Sequence, residues 1–371
     1  MLRADKLVPP FCCEHCPPPK GSCQAPTLSE TTRLNREQLM SDKQKIHGLD
    51  YARAIFSIFV VLWHFHAAGT STIFNSATNS PYSPSASDII NFNVFLQAVP
   101  FFILASCYLY AETATSIRYL GRRVVRIGTL IVFWAVAYHL FYGGADGLIQ
   151  AIGKLNERPV YQTVTALETY SFFVGLLISV ALSALAVYCN LAILILWVVL
   201  GSAAVCYFQW QTIVQGTIWT GSFWNPLNYV AYPAAAALVY RLTKSPSALK
   251  LLGWASFILF TISTALEWRF LVNPSFFPGQ GYNLPAYTRL SSMLFVIFAL
   301  ALCLKVSRPA GPIVQFMSRN SLGLYCIHPF LLAPLNRLDL PLWLRAVAAI
   351  AATYAIVIVL RRFFLKEEVL A

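Results

Sequence analysis

The sequence predicts an all-α, polytopic integral membrane protein with about ten transmembrane helices and both termini cytoplasmic. Three observations carry this expectation. The 371 residues are 57% hydrophobic and 11% charged, where an ordinary soluble domain carries about 25% charged residues. Apolar runs long enough to span a bilayer recur through most of the chain. Between the runs, Lys and Arg are alternately crowded and sparse, as a fixed orientation in a membrane requires.

The elements follow in chain order. Residues 1–39 are Pro- and Cys-rich, without periodicity and without the apolar core of a signal peptide. "MSDKQKIHGLD" from Met40 reads as a natural start. Residues 1–45 are therefore expected to be a disordered cytoplasmic tail, with the part before Met40 an upstream mistranslation. Peptides from that part in the native protein would contradict this. Four of the nine cysteines (Cys12, Cys13, Cys16, Cys23) lie here, with His15 inside a C-x-x-C. No second spaced pair follows, so a zinc site is weakly supported. The other five (Cys107, Cys189, Cys206, Cys303, Cys326) sit in apolar stretches, where a thiol packs as a small hydrophobe.

Ten apolar spans lie near residues 50–68, 91–111, 124–142, 170–188, 190–208, 224–241, 252–270, 289–305, 319–336 and 343–361. Only "YCN" separates the fourth from the fifth. With the amino terminus inside and the count begun at Lys43, fifteen Lys and Arg fall on the cytoplasmic side and six on the other. That asymmetry supports an even count. Residues 46–364 make one transmembrane domain, and 365–371 a short cytoplasmic tail. The net charge of +12 has the same origin, and no basic block interleaved with polar residues suggests nucleic acid.

The outer loops are aromatic. Trp210, Trp219 and Trp224 occupy one, and Phe276, Phe277, Tyr282 and Tyr287 another. Such rings can stack on sugars, although an interfacial belt also accounts for them. His139 and Glu267 fall near outer ends, where polar interface residues are ordinary. Asn225 and Asn228 stand at the start of the sixth span as cap residues.

Titratable groups inside a bilayer are costly, so those in the first span need a reason. Arg53 and His64 are 11 residues apart, three turns plus about 20°, which places them on one helix face roughly 16 Å apart along the axis. His66 is expected to point elsewhere. A guanidinium holds phosphate through paired hydrogen bonds, and a histidine can take a proton from an attacking hydroxyl. Coenzyme A has phosphates at one end and a thioester at the other, joined by an arm of about this length. Spacing alone equally allows a snorkelling arginine and an interhelical histidine.

Two further clusters join these. In "GRRVVRIGTL", Arg123 and Arg126 are i,i+3 neighbours beside Arg122, able to clamp phosphate; the positive-inside rule also places arginines there. In "NSLGLYCIHPF", Ser321, Tyr325 and His328 share one side of a helix. Pro329 follows and frees backbone groups there. Their catalytic role is open.

Together these stretches resemble the acyltransferase 3 family, membrane O-acyltransferases that modify cell-surface glycans, lipopolysaccharides and similar acceptors. "LDYARAIFSIFVVLWHF" resembles its first-helix motif, met by Arg53 and His64. "VPFFILASCYLYA" resembles its second-span motif through Phe101, Phe102, Ser106 and Tyr108, with Cys107 where Gly is usual. "RRVVRI" resembles R-x-x-R through Arg123 and Arg126. "SLGLYCIHPF" resembles the late S-x-x-x-Y-x-x-H-P through Ser321, Tyr325, His328 and Pro329. The resemblance covers residues 46–364.

It implies an acyl-CoA donor, by default acetyl-CoA, docked from the cytoplasm with phosphates near Arg53, Arg123 and Arg126. His64 then deprotonates a hydroxyl of a glycan or glycolipid acceptor from the outer side, by direct transfer or through an acyl-enzyme. No metal is expected. The implied location is a bacterial-type plasma membrane, among membrane lipids. The extra hydrolase-like domain of many members is not expected, since about ten residues follow the last span. Two rivals fit multiple spans with buried Arg and His: a proton-coupled transporter and a non-catalytic binder of lipid-linked glycans. No internal repeat favours the transporter.

Overall fold

The computed structural model describes residues 46–70, 85–113, 117–153, 170–215, 225–271 and 285–363. Among these, every regular element is helical. In order they are α1 (His47–His64), α2 (Ala86–Asn93), a 3-10 turn Phe95–Gln97, α3 (Ala98–Thr113), α4 (Ile117–Gly153), α5 (Ser171–Ala186) and α6 (Leu191–Gln215). A second 3-10 turn, Pro226–Tyr229, leads into α7 (Tyr232–Leu242). Then come α8 (Pro246–Leu271), α9 (Leu290–Cys303), α10 (Pro312–Arg319), α11 (Ser321–Asn336) and α12 (Leu342–Phe363). Residues 1–45 with their four cysteines, Lys154, Arg158, Trp219, Trp224, Phe276, Phe277, Tyr282 and the 364–371 tail lie outside the described residues.

Within the described residues, helix occurs in each predicted apolar run. Among the described residues, five stretches can cross a membrane by length and composition: Ala86–Thr113, Ile117–Gln150, Leu191–Thr212, Pro246–Arg269 and Leu342–Arg362. Ser171–Ala186 and Leu290–Cys303 are shorter apolar helices. Burial separates inner from outer elements. In the most apolar part of Ala86–Thr113, 72% of residues are buried, against 17% in α6, 17% in α8 and 22% in α12. A helix apolar all round with buried faces belongs at the centre, and one with bare apolar faces belongs against lipid.

Accordingly α3 is the inner axis, packed by α1, α5, α7 and α9. Phe101, Ile103, Leu104 and Cys107 are fully buried on it. The second axis is α1, which meets α3, α9, α10, α11 and α12. Its approach to α9 depends on a glycine: a Cβ on Gly48 would lie 2.0 Å from the Cys303 carbonyl oxygen. Such contacts between small residues let helix backbones close up where water supplies no driving force.

Local chemistry sets the helix ends. The break between α5 and α6 is the short "YCN" stretch, where the Asn190 side chain accepts from the Ile193 N–H at 2.9 Å. Arg241 of α7 donates to the carbonyls of Val187 and Cys189 in the same turn. Those carbonyls are ones the end of α5 leaves without helical partners. Near the other end of α4, Gly144 takes a left-handed φ of 61° and breaks the long helix. α1 stops at His64, short of the hydropathy boundary at residue 68, and His66 turns with φ 52°. Helical extrapolation therefore does not describe His66.

A buried ion pair ties α8 and α9 to α2. Arg289 is fully buried and meets Glu267 at 2.8 Å. Its other nitrogens donate to the Phe92 carbonyl at 3.0 Å and to Asn93 Oδ1 at 2.7 Å. The Ser291 hydroxyl and amide donate to the same carboxylate at 2.6 and 3.1 Å. Glu267, read from sequence as an interface residue, is thus the buried partner of Arg289, because a carboxylate on α8 and a guanidinium before α9 satisfy each other. Asn225 caps its 3-10 turn through the Leu227 N–H at 3.0 Å, as expected. Asn228 instead accepts from Thr288 at 2.6 Å.

Candidate active site

The bundle encloses a cavity of about 630 Å³ lined by α1, α3, α4, α5, α10, α11 and α12. Five guanidinium-bearing residues face it: Arg53, Arg123, Arg126, Arg319 and Arg361. Among the described lining residues none is acidic. The Asp50 carboxylate, one turn before Arg53, stands close enough to interact with it and accepts from Ser318 at 3.0 Å.

Each wall follows from local structure. Arg123 is held by donating to the Ser106 carbonyl at 3.3 Å and by lying over the Tyr119 ring, 5.6 Å from its centroid. The two adjacent phenylalanines of α3 divide their work. Phe101 stacks on Phe56 of α1 at 4.3 Å and fixes the core, while Phe102 faces the cavity and meets Phe172 of α5 edge-on at 6.4 Å. Ser106 lies one turn further along the cavity side. Tyr108 turns the other way and is buried against Tyr240 of α7 at 6.1 Å, off the lining. Arg122 is exposed and also off the lining.

Ser321 and Tyr325 of α11 line the cavity, but His64 and His328 do not. The two histidines instead meet each other, with ring centroids 5.0 Å apart and planes tilted by 39°. Tyr325 joins the two regions: it borders the cavity, packs on Phe172 at 4.9 Å, and lies 6.0 Å from the His328 ring. Arg53 and Ser321 face one cavity while His64 and His328 meet beyond it, so α1 and α11 run in the same direction. The site therefore has an order: guanidiniums, then Tyr325, then the histidine pair.

The two histidines differ. His64 ends α1 with an exposed side chain. His328 is buried at 1% exposure, with Nδ1 3.0 Å from the Leu324 carbonyl oxygen. A carbonyl only accepts, so Nδ1 carries the proton and the neutral ring presents a lone pair at Nε2. That Nε2 is buried without a hydrogen-bond partner. The prolines of α11 remove backbone donors, and nearby side chains serve this stretch: Tyr170 donates to the Cys326 carbonyl at 2.9 Å and Tyr142 to the Pro329 carbonyl at 2.8 Å. Among the described residues no group of three or more His, Cys, Asp or Glu is placed to hold a metal ion.

Sequence reading found Arg53, Arg123, Arg126, Ser106, Ser321 and Tyr325, which the fold collects around one cavity. It did not find Arg319 and Arg361. Both stand in the last turns of their helices, where membrane orientation and the helix dipole already explain a cation.

The described residues define a helical membrane protein with a cationic cavity bordered by Tyr325, beyond which two histidines meet. The chain belongs to the acyltransferase 3 family: the family described as an acyltransferase domain matches residues 46–362. It is a multi-pass membrane acyltransferase. No curated protein and no solved structure gives a significant match.

Proposed function

We propose that this acyltransferase moves an acyl group, acetyl by default, from acyl-CoA on the cytoplasmic side to a hydroxyl of an extracytoplasmic glycan or lipid-linked sugar. The observation that carries this reading is the order of the groups: five guanidiniums line the cavity, Tyr325 borders it, and His64 and His328 meet beyond Tyr325. A phosphate-bearing head fits the first part and proton transfer fits the last. The reading includes ten spans with both termini cytoplasmic, residues 46–364 as the transmembrane domain, and an address in the cell's plasma membrane.

In this mechanism Arg53, Arg123 and Arg126 bind the donor's phosphates through charge-assisted hydrogen bonds. The pantetheine arm runs along α1 past Ser106, Ser321 and Tyr325 and delivers the thioester to the histidines. The Arg53–His64 spacing of roughly 16 Å suits that arm. His64, the accessible ring, removes the proton from the acceptor hydroxyl as its oxygen attacks the thioester carbonyl. The carbon–sulfur bond then breaks, and the thiolate leaves with the coenzyme and takes up a proton. His328 accepts from the far nitrogen of His64 through its bare Nε2 and thereby holds the attacking lone pair towards the hydroxyl. This is a positioning role, and the hydrogen bond tightens when both substrates are in place.

Purified protein given labelled acetyl-CoA and glycolipid from native membranes tests the reading. Label appearing on the glycolipid with release of free coenzyme A is the expected result. Donor binding without release of free thiol would point to a binder or transporter instead.

A further inference from the structure

The proposed phosphate clamp uses three of the five guanidiniums, and the remaining two need a separate account. Arg319 closes α10 and Arg361 lies in the last turn of α12. A helix C-terminus favours a cation, and a cytoplasmic segment gathers them. Neither reason turns both side chains onto one cavity that already holds three arginines. Neither explains the state of Arg361, whose Nη2 donates to the Arg319 carbonyl at 3.2 Å while its Nε is buried without a partner. A buried N–H without an acceptor is costly and calls for one.

Charge indicates the kind of acceptor. Among the described residues, five guanidiniums line the cavity and the Asp50 carboxylate stands beside one of them, Arg53. A diphosphate alone supplies about two negative charges, and a phosphomonoester about 1.5 to 2 more at neutral pH. A ligand bearing both groups offers an anion to each group of arginines, and one bearing the diphosphate alone leaves Arg319 and Arg361 without one. The two guanidinium groups also come from different walls: Arg53, Arg123 and Arg126 from α1 and α4, Arg319 and Arg361 from α10 and α12.

We propose that Arg319 and Arg361 form a second anion subsite that recognises the terminal 3′-phosphomonoester of the donor, while the other three hold its diphosphate. The subsite makes the enzyme selective for coenzyme A over its 3′-dephospho form. This rests on the acyl-CoA reading of the same cavity.

The test compares the affinity of coenzyme A and 3′-dephospho-coenzyme A for purified wild type, Arg361→Gln and the Arg319→Gln/Arg361→Gln double variant. Wild type is expected to prefer coenzyme A at least tenfold, and the double variant to bind both ligands with nearly equal affinity. Arg361→Lys, which keeps the charge, should retain part of the preference and guards against a glutamine variant that fails to fold. Equal affinity of wild type for the two ligands, or an undiminished preference in the double variant, overturns the subsite and leaves the donor reading standing. No binding of either ligand to wild type overturns the donor reading, and the subsite with it.

Discussion

At the residue scale, the difference between His64 and His328 is one of environment. Both are imidazoles, yet the Leu324 carbonyl fixes the proton of one at Nδ1 and buries its other nitrogen, while the other ends a helix with an exposed ring. Two predictions follow from these unequal roles. His328→Ala should lower turnover about tenfold, with donor affinity unchanged and with partial recovery in His328→Gln, whose carbonyl can still accept; turnover and donor binding read on one preparation check this. Arg53→Ala should weaken donor binding by roughly 10- to 100-fold, because a hydrogen bond to a charged group contributes about 1.5–3 kcal/mol; equilibrium binding of labelled donor checks it. Pairings within a helix were legible in the sequence, since spacing fixes which residues share a face: Arg53 and His64 are one case, Ser321 and Tyr325 another. The contact of His64 with His328 was not, because nothing in a linear pattern says which helices become neighbours.

Elements carry the next set of constraints. The α1–α9 contact tolerates no side chain at Gly48, where a Cβ would meet backbone rather than a movable group. Gly48→Val should therefore lower the thermal midpoint in detergent and the folded yield, whereas Gly121→Ala, where a Cβ meets nothing within 4 Å, should not. The Glu267–Arg289 pair makes a sharper prediction. Breaking a buried pair from one side costs about 3–5 kcal/mol, while replacing both partners by apolar residues is often neutral. Glu267→Met should consequently destabilise far more than Glu267→Met/Arg289→Met, read as detergent melting curves. Hydropathy located these helices because lipid demands long apolar runs. It misread Glu267 because its partner Arg289 lies 22 positions away, on another element that it meets only in the folded chain.

On the scale of the whole molecule, the proposed path starts in a cavity assembled from seven helices, and it gives the bundle a direction. Arg319 and Arg361 show why the path was only partly legible: the rule that sorts charge across a membrane accounts for them completely until the cavity is seen. The family motifs supplied the rest, since Arg53, Ser106, Arg123, Arg126, Ser321 and Tyr325 lie far apart in sequence and surround one space. Tyr108, from the same motif as Ser106, serves the core instead. If the ten-span reading holds, reporters fused to the two termini will both score cytoplasmic; opposite locations would contradict it. In the proposed mechanism, donor binding and proton transfer sit at opposite ends of the path. This separation is tested most directly by acyl transfer from labelled acetyl-CoA in membranes holding native acceptor, with wild type and His64→Ala compared at equal donor occupancy. His64→Ala is expected to lose about 10²–10⁴-fold in turnover with donor affinity unchanged. Wild-type turnover in His64→Ala would contradict the mechanism.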